Sequence, residues 1–259
     1  MSDKKTKQLA SMNEWQTAHL RLTAFHEPTI NVQEIEWWQK IVGVPPESRT
    51  FRPKSGELRE EGPFETGMLT LNIQPLRIDW HLTKAHQTEL PEEDLPTIGE
   101  FPKISEIFLT LMRSWLKNGA PKLGRVAFGA VLMLPVQSRQ VGYERLAAYL
   151  PGIKLDPNES SDFLYQINKP RNSKLEIPDL RVNRLCKWSV AVFGRASMHL
   201  NLVTGRSEQF SSPDVYACRL EMDINTAADF KDTLPQDQLV SIFEELVALG
   251  KEIIERGDI

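Results

Sequence analysis

Residues Met68–Leu82 read MLTLNIQPLRIDWHL. Leu69, Leu71 and Ile73 fall on one side of an extended chain, and Leu76, Ile78, Trp80 and Leu82 do the same after the parity switches at Pro75. Alternation with a period of two is the pattern of a half-buried strand. A parity switch would turn the apolar face into water unless a bulge or tight turn corrects it. The stretch therefore predicts two extended segments with one apolar face and a break at Pro75, which points to a sheet with one face buried.

Upstream, Ala18, Leu20, Leu22 and Ala24 alternate with His19, Arg21 and Thr23 as a further strand, and HEPT follows as a turn. Asn31 with Glu34 makes a capping box, and Val32, Ile35, Trp38 and Val42 recur at helical spacing until Gly43. The polar segment TFRPKSGELREEG is extended. Residues 87–102, QTELPEEDLPTIGEFP, read as an acidic loop, and Ile104, Ile107, Phe108, Leu111, Met112, Trp115 and Leu116 then form the stripe of a long helix ending at Asn118-Gly119.

The order then repeats. GRVAFGAVLMLP is apolar on both faces and predicts a central strand, and GYERLAAYL predicts a short helix stopped by Pro151. Extended segments follow at DFLYQIN, LRVNRLCKWSVAVF, SMHLNLV and VYACRLEMDI, with Gly194-Arg195 as a hairpin turn between the second and third. Leu239, Ile242, Phe243, Leu246, Ile253 and Ile254 close the chain as a long helix. The expected fold is α+β, with two similar halves, each strand, helix, antiparallel strands, long helix, and the helices packed on one face of the sheet. Residues 1–14 are expected as a flexible tail, 15–119 as the first half and 120–259 as the second, within one unit.

A chain of 259 residues, 41% hydrophobic and 25% charged, can bury a core without disulfides or a structural metal. Its formal charge of −4 argues against a surface that is a polyanion receptor throughout, while leaving room for a local basic patch. The start lacks an apolar segment after its lysines, and no window is apolar over the ~18 residues of a spanning helix, so the expected location is the cytoplasm, with no membrane partner. Cys186 and Cys218 fall in strand alternation without metal-ligand neighbours, so they read as reduced, buried thiols.

Arg77, Asp79 and His81 leave one face of their strand at steps of about 6 to 7 Å. An aspartate at that spacing can orient a histidine as base or ligand. One strand supplies at most two metal ligands, so a third would come from His19 or His199, while His86 lies beyond the alternation. The alternative is a solvated ladder of charges. Arg21, Arg77, Arg181, Lys187 and Arg219 project from the polar side against Asp79, Glu221 and Asp223, and Arg125 opens the central strand. Lys169, Arg171, Lys174 and Arg184 add positive charge nearby. Arginine forks of this kind suit an acidic or phosphate-bearing partner. Tyr165 and Trp188 have apolar neighbours and are assigned to the core, which leaves no aromatic platform for nucleic acid. Adjacent Trp37 and Trp38 lie ~100° apart on a helix, so one sits at the edge of a broad stripe or lines a groove. Phosphate-loop, dinucleotide, zinc and nucleophile-elbow motifs are missing, and Ser114–Lys117 matches SxxK without its companion motifs.

The stretches GRVAFGAVLMLP, CRLEMDIN and LVSIFEELVALGKEIIE resemble a sporadically distributed, uncharacterised bacterial protein family of similar length. The resemblance covers most of the chain and implies no activity. An accessory role in a defence or toxin-neutralising system would suit a sporadic family of this kind. The order of elements is also similar to the duplicated halves of the TATA-binding-protein arrangement, an analogy of topology alone. The reading is thus a non-enzymatic binding or interaction module that recognises a partner, first a protein and second a nucleic acid or other polyanion, through Arg77, Asp79, His81, Arg181, Lys187 and Arg219. It assigns no catalytic residue, metal or cofactor, and leaves a homo-oligomer open. Its alternatives are a small enzyme using Asp79 and His81 with an arginine clamp, and an apolar-ligand carrier.

Overall fold

The computed structural model describes residues 9–27, 30–85, 95–194, 196–201, 206–211 and 214–258, with backbone alone for 196–201 and 206–211. The chain is mixed α+β. In order it forms β1 (Gln16–His26), α1 (Trp37–Val42), β2 (Ser48–Arg52), β3 (Glu57–Phe64), β4 (Gly67–Gln74), β5 (Arg77–Thr83) and α2 (Phe101–Asn118). There follow β6 (Leu123–Val136), α3 (Arg139–Tyr149), β7 (Leu164–Asn168), β8 (Arg171–Asn172), β9 (Arg181–Phe193), β10 (Ala196–Asn201), β11 (Arg206–Ser211), β12 (Val215–Thr226) and α4 (Leu239–Arg256). A ten-stranded sheet runs β2-β3-β4-β5-β1-β6-β12-β9-β7, with β8 beside β9, and every pairing in it is antiparallel.

The parity switch at Pro75 is a two-residue turn. Gln74 pairs with Arg77 across it, so Leu69, Leu71 and Ile73 share a face with Ile78, Trp80 and Leu82, and all six side chains are buried. Leu76 sits in the turn and is exposed. Against this face α2 sets Trp115 edge-on to Trp80, and α4 sets Phe243 edge-on to Phe128 of β6. Gly250 lets α4 approach closely, since a Cβ there would lie 3.1 Å from the Phe128 ring. Both tryptophans of α1 join this core: Trp38 stacks on Trp80, and Trp37 meets Trp115 edge-on.

Three expectations are corrected. The single helix from Val32 to Val42 is broken into a 3-10 turn, Val32–Glu34, and the short α1. Ile35 between them is extended and buried, and its carbonyl accepts a hydrogen bond from the Arg49 guanidinium, which takes that carbonyl out of the helical ladder. Asn31 caps the turn by accepting from the Gln33 amide, and Gly43 ends α1 at φ 85°. Secondly, β9 and β10 are not paired as the hairpin expected at Gly194-Arg195, of which Arg195 lies outside the described residues. β9 pairs with β12, starting at Phe193 opposite Val215, and β10 pairs with β11 in a separate two-stranded sheet, so that pair is an insertion between two neighbouring strands. Thirdly, residues 9–14 are seated rather than loose: Ala10 is buried, and Ser11 and Glu14 close a capping box on the 3-10 turn Met12–Glu14.

Tyr149 ties both ends of the chain to α3. Its hydroxyl accepts from the Ala10 amide at 3.1 Å and from Trp15 Nε1 at 3.2 Å, while its carbonyl accepts from the Asp258 amide at 2.9 Å. No helix among the described residues is long and apolar enough to cross a membrane. Gly257, with φ 75° and ψ −154°, makes the turn beside Tyr149, and a Cβ there would meet the Tyr149 carbonyl oxygen at 2.3 Å. Gly257→Ala is therefore expected to lower stability by at least ~2 kcal/mol, read as a lower urea midpoint at unchanged slope.

Candidate functional site

The face opposite Trp80 and Phe128 is polar. Cross-strand registers place one row of residues across it: His81 beside Arg21, Arg21 beside Gly129, Gly129 beside Asp223, and Asp223 beside Leu185. A parallel row runs Asp79, Thr23, Ala127, Asn225, Asn183. The side chains join within and between these rows. Arg21 crosses β6 to reach Asp223 at 2.9 Å, and Asn225 donates to the other Asp223 oxygen at 2.8 Å. Asn225 in turn accepts from Arg125 at 2.6 Å and from Asn183 at 3.0 Å. Arg21 can cross because residue 129 is glycine: a Cβ there would lie 3.0 Å from Arg21 Nε.

Asp79 is buried at 4% exposure, and its carboxylate is taken by Thr23 Oγ1 and by the Arg77 guanidinium, whose Nε lies 2.6 Å away. Such bidentate pairing satisfies a charge that burial alone would destabilise. Arg77 and Arg125 also lie over the Phe25 ring, at 5.9 and 5.4 Å from its centroid, so that ring is already engaged by cations. His81 is not hydrogen-bonded to Asp79; its Nδ1 lies 2.9 Å from His19 Nε2, with the rings nearly parallel. In place of the Asp79–His81 relay that the enzyme alternative requires there are two separate pairs, Asp79 with Arg77 and His81 with His19.

Burial holds the two imidazoles neutral. His19 is lowered from 6.5 to about 4, first by desolvation and then by His81 and Arg21. His81 is lowered by desolvation, opposed by Asp79 and reinforced by Arg21, Arg77 and Arg59. A neutral pair has one nitrogen donating and one accepting. Among the described residues no group of three histidine, cysteine, aspartate or glutamate side chains is placed to hold a metal ion. His86 lies outside the described residues, and the side chain of His199 does too.

Lys187, Arg219 and Arg181 all project from the polar face, but not to one point. Lys187 Nζ and Arg219 Nη1 converge on the same oxygen of Glu221, at 3.0 and 2.8 Å. Together with His19, Arg21, Gly129 and Asp223 they line a concavity of about 440 Å³ over β6, β12 and β9. Arg181 is apart from it, 3.7 Å from Asp229 at a second concavity of about 820 Å³ near the end of β12. At the other end of the polar face, Leu95 packs on Met133 and Ala217, which places the last part of the acidic loop over that end of the sheet. The basic segment from Lys169 to Lys174 faces elsewhere: Lys169 pairs with Asp258 at 2.8 Å and Arg171 with Glu252 at 3.4 Å. Arg184 is buried on the helix-bearing side, opposite Ile224. Cys186 and Cys218 are buried, and burial pushes the Cys218 thiol up to about 12.

Across β5, β1, β6, β12 and β9, the described residues on the polar face include six cations (Arg21, Arg77, Arg125, Arg181, Lys187, Arg219) and three carboxylates (Asp79, Glu221, Asp223). This excess of positive charge stands in a chain of formal charge −4. Sequence reading reached the charged residues by parity, and missed Gly129, Phe25, Asn183 and Asn225. The glycine within GRVAFGAV was the available signal, because a glycine inside a strand marks a close approach.

Removing Arg77 alone leaves Asp79 buried without its cation. Arg77→Ala is expected to cost on the order of 3 kcal/mol in chemical denaturation, and Arg77→Ala with Asp79→Ala together much less than the sum of the singles. The histidine pair sets a pH dependence of its own. Because the unfolded imidazoles take protons below about 6.5 and folded His19 does not until about 4, stability is full above that window and falls as pH drops through it. His19→Asn with His81→Asn is expected to flatten the fall in urea midpoint between pH 7 and 4.5; an unchanged fall would assign it to the carboxylates instead. Comparison of the chain with protein-family models gives no match, and comparison with curated proteins gives none either.

Proposed function

We propose that the protein is a non-enzymatic binding module whose polar sheet face receives an acidic partner protein. One observation carries the reading: the surplus of cations over carboxylates on the polar face of an otherwise acidic chain. Like-signed surplus charge attracts partners of opposite sign and steers their encounter, while contributing little to the stability of the fold. A protein partner is favoured over nucleic acid because Phe25, an aromatic side chain among these cations, already has Arg77 and Arg125 against its ring. The enzyme reading loses support because Asp79 is engaged by Arg77 and Thr23, away from His81. The apolar-carrier reading loses support because the 440 and 820 Å³ concavities have charged walls.

The architecture belongs to the same proposal. Two similar halves, with helices on one face, would leave the other face free for a partner. The strand order supports this, since β5, β4, β3 and β2 lead outward from β1 as β12, β9 and β7 lead outward from β6. A duplicated order of this kind would be the one to which the TATA-binding-protein arrangement offers a topological analogy, with no function attached. An accessory role in a defence or toxin-neutralising system fits a module that sequesters an acidic protein.

The test is capture from a bacterial lysate followed by native mass spectrometry, comparing the intact protein with Arg181→Glu alone and with Arg181→Glu and Lys187→Glu combined. Arg181 is about half exposed and Lys187 less so, and each has a single carboxylate partner, so melting temperatures are expected to stay within a few degrees. Loss of a stoichiometric partner in the charge-reversed proteins is the expected result. A partner retained equally by all three, or none retained by the intact protein, would sink the proposal.

A further inference from the structure

We propose that Lys187 and Arg219, with Arg21 beside them, form a carboxylate-binding site in the concavity of the polar face, and that Glu221 is its resident internal carboxylate. The inference deepens the binding-module reading and rests on it.

Two cations from neighbouring strands converge on one carboxylate oxygen, Lys187 from β9 at 3.0 Å and Arg219 from β12 at 2.8 Å. One carboxylate cannot neutralise both. The three side chains are each about one-third exposed, so the cluster is reached from solvent and still partly shielded, where an ion pair is stronger than in water. The Nε–H groups of Arg21 and Arg219 have no hydrogen-bond acceptor among the described residues. Each guanidinium thus keeps a donor that its internal carboxylate does not take. Space for a second carboxylate exists in the concavity of about 440 Å³ that Lys187, Arg219 and Glu221 line together with Arg21 and Asp223.

The charge of the lining selects the ligand. Arg21, Lys187 and Arg219 stand against Asp223 and Glu221, and the neighbouring histidine pair is held neutral, so the surplus is a single positive charge. A monoanionic carboxylate matches it, and the group now held there is itself a carboxylate. The source is either an acidic side chain of a partner protein or a free carboxylic acid.

The experiment is a titration of isotopically labelled protein, followed by amide and arginine Nε–H resonances, with sodium acetate against sodium chloride at equal ionic strength. A glutamate-rich peptide with blocked ends is the second ligand. Saturable shifts confined to the surroundings of residues 187, 219 and 221 are expected with acetate and not with chloride. Glu221→Gln is expected to tighten acetate binding by about tenfold, the scale of one well-formed ion pair, because it removes the internal competitor. Lys187→Gln and Arg219→Gln are expected to abolish saturation. Tighter binding of the peptide than of acetate would point to a partner's side chain, and saturation by acetate alone to a free acid. Shifts identical in chloride, or a Glu221→Gln protein that binds acetate no better, would overturn the site. If a captured partner is lost on Arg181→Glu alone while acetate fails to bind, the reading of the face stands and this site falls.

Discussion

The pairing of β1 with β6 at the centre of the sheet is the contact on which the rest depends. It joins Gln16–His26 to Leu123–Val136, segments about a hundred residues apart, and sets the register that puts Arg21 beside Gly129 and Leu22 beside Phe128. On one side that register joins the rings around Trp80 and Trp115 and those around Phe128 and Phe243 into one core. On the other it lets a guanidinium reach across a bare strand to Asp223. A slip of one residue would exchange the two faces and destroy both arrangements. Contacts of such long sequence separation are entropically costly to close, so the local hairpins β2–β3 and β4–β5 are natural precursors to this central pairing.

The polar face is a connected network rather than a row of independent charges. From Arg77 it runs through Phe25 to Arg125, then through Asn225 and Asp223 to Arg21. Pairs at this exposure contribute modestly to stability. Their larger effect is on geometry, since each guanidinium is held in orientation by its neighbour, and cations so held would lose less entropy on meeting a partner of the kind proposed. Asp79 differs in being fully enclosed, and its pairing with Arg77 belongs to the integrity of the fold more than to recognition.

The two aromatic clusters show how the same residue type serves different ends. Trp38, Trp80, Trp115 and Trp37 fill the space under α1 and α2, while Trp15, Tyr149 and Trp188 lock the start of the chain to α3 and β9. Large rings bury much apolar area at low conformational cost, which suits a sheet so wide that its helices cross only part of it. β10 and β11 pair with each other as a separate two-stranded sheet.

Local geometry made much of this legible from the sequence. The alternation of Leu69, Leu71 and Ile73, its switch at Pro75, and the resumption at Ile78 and Trp80 fix which side chains are buried, because a strand places successive residues on opposite faces whatever lies beside it. For the same reason Arg77, Asp79 and His81 were assigned to one face before any neighbour was known. The helix from Val32 was misread because periodicity does not register a competitor for a carbonyl, and Arg49 is such a competitor for Ile35. Lateral neighbours were beyond the sequence altogether. That His81 meets His19 instead of Asp79, that Arg21 reaches a residue 202 positions away, and that Lys187 and Arg219 share Glu221 are consequences of strand order and register. Those are settled by the burial of the whole apolar face at once, a condition that no short stretch of chain contains. Alternation along the chain sets the two faces and their chemistry; strand order and register set which charges meet.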